Sequence, residues 1–267
     1  RHAAEEHARV KAIAVNYDAY ETITTPDRLE AWVSKIIDKG YVAVDTETTG
    51  LDPQQADLVG ICLSTEIGEG CYIPVGHAKP GDLLGGGGLV EGQLPIGFVL
   101  EALKPVLQDK AILKIGQNMK YDAKILKRYG ISVAPIDDTM LMSYALNAGL
   151  HQHGMDALAD RYLGHTCIPI KDLLGSGKSM ITFDKVPLDR ATAYAAEDAD
   201  VTLRLWQVLK PQLHAKKVTT VYETLERPLS PVLAEMEMHG IRVDRDTLSR
   251  MSNAFAQKMA GLEAEIH

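Results

Sequence analysis

The stretch VAVDTETTG, Val42 to Gly50, sets two acids at the end of an apolar run. Tyr41 to Val44, entered from Gly40 and left through Thr49-Gly50, reads as a buried strand. Residues two apart on a strand share a face, so Asp45 and Glu47 point the same way. Two carboxylates side by side repel each other and raise each other's pKa unless a cation lies between them. A hard ion such as Mg2+ or Mn2+ meets that need, because it prefers oxygen ligands and accepts one or two carboxylates together with waters and phosphate oxygens.

Working outward, two further acids lie in helical contexts. The apolar and amphipathic positions Met119, Tyr121, Ile125, Leu126 and Tyr129 predict a helix capped by Asn118 and stopped by Gly130, with Asp122 one turn inside it. A second helix is predicted from Pro187 through Trp206 to about Leu209, and on it Tyr194 and Asp198, four apart, share a face. Each acid taken singly also has a plain structural explanation. Asp45 and Glu47 would end a strand in solvent, Asp122 would favour a helix dipole, and Asp198 would be one surface acid beside Glu197 and Asp200. Spacing alone does not choose between these explanations and one shared metal site.

The remaining pattern predicts a helix at Pro26 to Asp38, strands at about 41–46, 57–65 and 70–75, a helix near 95–108 and a strand at Ala111 to Ile115. Residues 76–92, with Gly85 to Gly88, read as a flexible loop. Meandering strands followed by strands interleaved with helices give an α/β fold, a mixed sheet with helices on its faces. Residues 1–25 read as a linker. Beyond Pro211 a helical extension is expected, with amphipathic helices at roughly 216–238 and 244–266 on either side of HGIRVD.

Composition narrows the function classes. The chain has 267 residues, 46% of them hydrophobic, and a formal charge of -8, which argues against a module that wraps DNA through a basic face. A site that takes only a few terminal nucleotides needs less positive charge. No run reaches the 18 or so apolar residues of a membrane span, and the charged start RHAAEEHARVK is no signal peptide. No membrane partner is expected, and the location expected is cytoplasmic. Arg1 in place of Met suggests a piece of a longer chain. Cys62, Cys71 and Cys167 form no disulfide framework and lack metal-ligand spacing, and His151 and His153 lack further ligands at zinc-site spacing. GKS at 177–179 is no phosphate-binding loop, because Asp172 stands where that loop needs glycine.

In this order and with these separations, Asp45-Thr46-Glu47, Asn118-x-x-x-Asp122 and Tyr194-x-x-x-Asp198 resemble the DEDD superfamily of 3'-5' exonucleases, tyrosine subtype. Longer stretches, AVDTETTGLDPQQADLVGICLS, YIPVGH, LKIGQNMKYDAKIL, DDTMLMSYALN and YAAEDADVTLRLW, resemble the proofreading domains of bacterial DNA polymerases I, over roughly residues 25–212. The resemblance implies a ribonuclease H-like fold, with an exonuclease domain at 26–212 and the helical start of an adjoining polymerase domain at 213–267. It implies a monomer acting on the single-stranded 3' end of DNA with two divalent ions, Mg2+ or Mn2+. Asp45, Glu47 and Asp198 would hold one ion, and Asp45 and Asp122 the other. Tyr194 would orient the attacking water, since a phenol with a pKa near 10 is a poor base at neutral pH. Thr46, Leu51, Gln117, Asn118, Tyr121 and Ile170 would hold the last nucleotides, with Leu51 as an apolar wedge. Gln152 departs from the pattern, which often has Arg there, and so puts the strength of phosphate contact in question. The alternatives are an RNA-trimming exonuclease of the same superfamily and a catalytically silent structural domain of a polymerase. The presence of all four acids and Tyr194 favours activity, and the polymerase-like tail favours DNA.

Overall fold

The alternation along Val42 to Glu47 sorts its side chains onto two sides of a sheet. Val42 and Val44 pack among Leu29, Ile36, Leu103 and Met119. Ala43 packs instead with Ile115 and Leu203, and Asp45 and Glu47 continue its row. The computed structural model describes residues 2–79 and 88–267, so Gly85 to Gly87 of the expected loop lie outside the described residues.

In chain order the elements are α1 (His2–Ala12), β1 (Tyr20–Thr22), α2 (Pro26–Lys39), β2 (Tyr41–Thr48), β3 (Leu58–Ser64), β4 (Gly70–Pro74), α3 (Ile96–Gln108), β5 (Leu113–Gly116), α4 (Met119–Arg128), β6 (Ile136–Asp138), α5 (Thr139–Asn147), α6 (Met155–Leu158), α7 (Ile170–Leu174), α8 (Leu188–Ala215), α9 (Thr219–Val221), α10 (Arg227–His239) and α11 (Arg245–Ile266). The sheet order is β1-β4-β3-β2-β5-β6. β3 runs antiparallel to β2 and β4, whereas β5 is parallel to β2, β6 to β5 and β1 to β4. This is a mixed α/β sheet with helices on both faces, the ribonuclease H-like arrangement. Side chains of α2, α3 and α4 join the core on the Val42 face, and those of α8 join the core on the other.

Two chain segments differ from the sequence expectation. Residues 1–25 are not a bare linker: α1 buries Val10 against Leu205 and Leu209 of α8, and β1 adds a parallel edge strand beside β4. Three residues, Tyr20-Glu21-Thr22, are too few to show strand periodicity, and α1 has a weakly apolar face with one buried residue. α8 also runs past Leu209 and through Pro211 to Ala215, because Leu213 remains buried on the same core.

The position of α8 decides where its functional face lies. Ala191, Ala195, Ala196 and Ala199 are all fully buried, and such small side chains let the helix settle close to the sheet. A methyl group on Gly70 of β4 would stand 2.8 Å from the Ala196 carbonyl oxygen, so only glycine fits at this crossing.

The chain divides into two compact units, 1–234 and 235–267. In the second unit α11 begins at Asp244, whose carboxylate accepts from the Thr247 N–H at 3.0 Å, and it leaves Leu248, Met251, Phe255 and Met259 exposed. Among the described residues no helix is long and apolar enough to cross a membrane.

Gly70→Ala is expected to destabilise the protein by about 1–3 kcal/mol through overpacking at the α8 crossing. Denaturant unfolding followed by circular dichroism checks this, and an unchanged midpoint would refute the close-packing account.

Candidate active site

The four acids meet where three elements converge at the end of β2. Asp45 and Glu47 come from one face of the strand, and Asp198 arrives on that side from α8. Asp122 comes from α4 on the opposite side. Thr46, whose side chain points that way, reaches it: the Thr46 N–H and hydroxyl both donate to Asp122 Oδ1, at 2.9 and 2.5 Å. The Thr46 hydroxyl thus orients a carboxylate while the residue lines the cleft.

The start of α4 also differs from expectation. Asn118 occupies the cap position in a left-handed conformation (φ 60°, ψ 42°), and its side chain makes no capping bond. The cap comes from Asp138 at the end of β6. Its carboxylate accepts from the Asn118 and Met119 N–H groups at 3.1 and 2.9 Å, and from Met140 N–H at 2.9 Å. One buried acid thus fixes the first turns of both α4 and α5. Twenty residues separate it from Asn118, beyond the reach of a local capping rule.

The acids lie in a cleft of about 580 Å3 that Asp45, Thr46, Glu47, Leu51, Gln117, Asn118, Tyr121, Asp122, Ile170, Tyr194 and Asp198 all help to line. Every site residue expected from sequence is therefore at one place. Leu51 is 95% exposed at the mouth. The turn that carries it is pinned by the Tyr121 hydroxyl, which donates to the Gly50 carbonyl at 2.6 Å, and by the Thr48 hydroxyl on the same oxygen at 2.9 Å. Gln117 is tied into the wall, its amide donating to the His153 carbonyl at 2.8 Å. Gln152 is exposed and does not line the cleft. Met180, Thr182 and Phe183 also line it and were not anticipated, since no periodic or charged pattern marks that segment.

Burial and mutual repulsion dominate the electrostatics. Burial, with the Asp198 carboxylate beside it, pushes the Asp45 carboxyl up to about 8. Glu47, Asp122 and Asp198 are held well above the usual carboxylate range, first by burial and then by neighbouring acids: Asp45 beside Glu47 and Asp122, and Glu197 beside Asp198. The Tyr194 phenol, hydrogen-bonded to Asp198, is raised far above its ordinary value by burial and by that carboxylate. Glu47 Oε1 is buried without any hydrogen-bond partner. A buried, unpartnered carboxylate oxygen among repelling acids is costly, and a divalent cation satisfies it. Ligand atoms of Asp45, Glu47 and the Cys62 thiol lie within 4.8 Å of one another, so the donor set fits a cation.

Residues 20–214 match the model of a protein family described as 3'-5' exonuclease. This chain belongs to that family. It is 53% identical to DNA polymerase I of Rhizobium leguminosarum over 97% of its own length and 27% of the relative's, so it spans about a quarter of that protein. Among solved structures it resembles the POL domain of Pol1 from M. smegmatis (TM-score 0.68, 22% identity, 90% of this chain and 36% of that one). It also resembles Brucella melitensis NrnC with bound Mg2+ (TM-score 0.56, 22% identity, 75% of this chain and 86% of that one). At these identities the two structures speak for the fold.

The raised acids make stability depend on pH in a definite direction. Asp45 loses its proton near pH 4 when unfolded but near pH 8 when folded, so its contribution to stability falls as pH rises across that window. Without divalent ions, Asp45→Asn is expected to melt higher than the native chain at pH 8, with the difference vanishing towards pH 4. Thermal melts across that range check this, and a variant that melts lower at pH 8 would contradict it.

Proposed function

We propose that this chain is the proofreading region of a DNA polymerase I, hydrolysing the 3'-terminal phosphodiester of single-stranded DNA. The observation that carries the reading is the convergence of Asp45, Glu47, Asp122 and Asp198 on one cleft with Tyr194 hydrogen-bonded to Asp198. In this reading Asp45, Glu47 and Asp198 hold one divalent ion and Asp45 and Asp122 hold a second, either Mg2+ or Mn2+. When bound, such ions supply Lewis acidity to the scissile phosphate and acidity to the attacking water.

The side chains supply position. Tyr194 keeps its proton at neutral pH, because burial and Asp198 hold its pKa high, so it takes no proton from water; its O–H is given to Asp198, and its oxygen accepts from the water and orients it. Water adds to phosphorus and releases a proton to solvent, the bond to the 3' oxygen breaks, that oxygen takes up a proton from solvent, and a nucleoside 5'-monophosphate leaves a strand with a new 3' hydroxyl. Thr46 keeps Asp122 in register through its two hydrogen bonds. Leu51, on its pinned turn, and Ile170, 42% exposed across the cleft, offer apolar surfaces to the terminal bases, with Gln117, Asn118 and Tyr121 along the wall. The cleft is of small-ligand size, which suits a frayed strand end and not a duplex, and this agrees with a charge of -8.

In the same reading, the exonuclease domain expected at 26–212 also takes in α1 and β1 and runs to the end of α8, the residues after it begin a covalently adjoining polymerase domain, and the protein works as a cytoplasmic monomer. The 27% coverage of a DNA polymerase I supports a larger parent chain.

Single-stranded DNA labelled at its 5' end is expected to shorten stepwise from its 3' end with Mg2+ or Mn2+. RNA of the same sequence should be cut more slowly. Asp45→Ala and Asp198→Ala should each lower the rate by at least about a hundredfold. Intact DNA under these conditions would contradict activity and leave a structural role, while preference for RNA would favour an RNA-trimming enzyme. Tyr194→Phe is expected to cost about tenfold with an unshifted pH–rate profile, whereas loss of a general base would cost roughly 10²–10⁴.

A further inference from the structure

A second set of ligand-type side chains lies on the far side of Asp198. Between Gly164 and α7 the chain is irregular, and it brings His165 and Cys167, two apart, to one place. Glu197 meets them from α8, its side chain wholly buried. His165 Nε2 is 2.6 Å from Glu197 Oε1, and one ligand atom each from His165, Cys167 and Glu197 lies within 4.8 Å of the other two. The Tyr17 hydroxyl donates to Glu197 Oε1 at 2.6 Å and the Ile168 N–H to Oε2 at 2.8 Å, so the carboxylate is held in place from two directions. Cys167 is a free, buried thiol. A cavity of about 320 Å3, lined by Tyr17, Gly164, His165 and Arg204, adjoins the group.

We propose that His165, Cys167 and Glu197 form a site for a zinc-type cation, separate from the acids of the cleft. An imidazole nitrogen, a thiolate sulfur and a carboxylate oxygen together select a borderline ion such as Zn2+ over Mg2+, which favours oxygen alone. Three protein ligands leave a fourth, tetrahedral position for water, and the cavity that His165 helps to line offers a way in. Ordinary bond lengths set neighbouring ligand atoms roughly 3–4 Å apart, so the ion replaces the His165–Glu197 hydrogen bond as the two groups part by about 1 Å. His165, on the solvent side with 21% of its side chain exposed, is the one free to move. Binding breaks the Cys167 S–H bond, the sulfur keeps the electron pair for the ion, and the proton goes to solvent. Sequence spacing alone concealed the site, because Glu197 is 30 residues beyond Cys167. The site does not depend on the proposed exonuclease activity.

Titration of the full chain with Co2+, followed by near-ultraviolet absorption, tests the proposal. With the cleft acids filled by excess Mg2+, a thiolate-to-cobalt charge-transfer band is expected to appear, to saturate, and to be displaced by Zn2+. Cys167→Ser should lose the band, and His165→Ala should weaken Co2+ binding by about tenfold or more. Cys62→Ser should keep it, which distinguishes this site from the thiol beside Asp45. Circular dichroism establishes that each variant is folded. A native chain without the band overturns the proposal without recourse to any variant, as does a band that survives in folded Cys167→Ser or disappears in folded Cys62→Ser.

Discussion

Repulsion among Asp45, Glu47, Asp122 and Asp198 is the constraint around which this fold is arranged. Burial and like charge raise all four, and one oxygen of Glu47 has no partner at all. A sheet strand that presents Asp45 and Glu47 to one helix and Thr46 to another brings acids from both faces to a single edge. The sheet and helices hold the acids in an arrangement they would not keep in water. That stored repulsion is what gives a divalent cation its affinity for the cleft.

Neighbouring acids that take no part in the proposed chemistry maintain the geometry. Asp138 caps α4 and α5, and so fixes the helix that carries Asp122. Asp137, fully buried beside it, accepts from Trp206 Nε1 at 2.8 Å and from the Tyr222 hydroxyl at 3.0 Å, and pairs with Lys210 at 3.0 Å and Arg227 at 3.3 Å. These contacts tie α8 and the segment after it to the edge of the sheet. Such buried, fully partnered acids specify position more than they add stability. Two adjacent aspartates therefore anchor both helices that deliver acids to the cleft.

Much of this was legible in the sequence where the signal is local. Val42 to Glu47 announces a strand and its acid face, and Tyr194 and Asp198 announce a shared helix face, because period and spacing are properties of a few consecutive residues. What was not legible depends on distant partners. The Asp138 cap on α4, the turn from Thr46 towards Asp122, and the pairing of β1 with β4 all join residues 20 or more apart. Asn118 looked like a cap by residue type, yet its left-handed backbone turns its side chain away from that role. The same limit hid the His165, Cys167 and Glu197 cluster.

The central claim is that the crowded carboxylates are a cation site. Crystals of the native chain soaked in Mn2+ and measured at the manganese absorption edge test it directly. The account predicts anomalous density among Asp45, Glu47 and Asp198, with a second peak between Asp45 and Asp122. Anomalous density only elsewhere on the protein, or an empty cleft at saturating Mn2+, would contradict it.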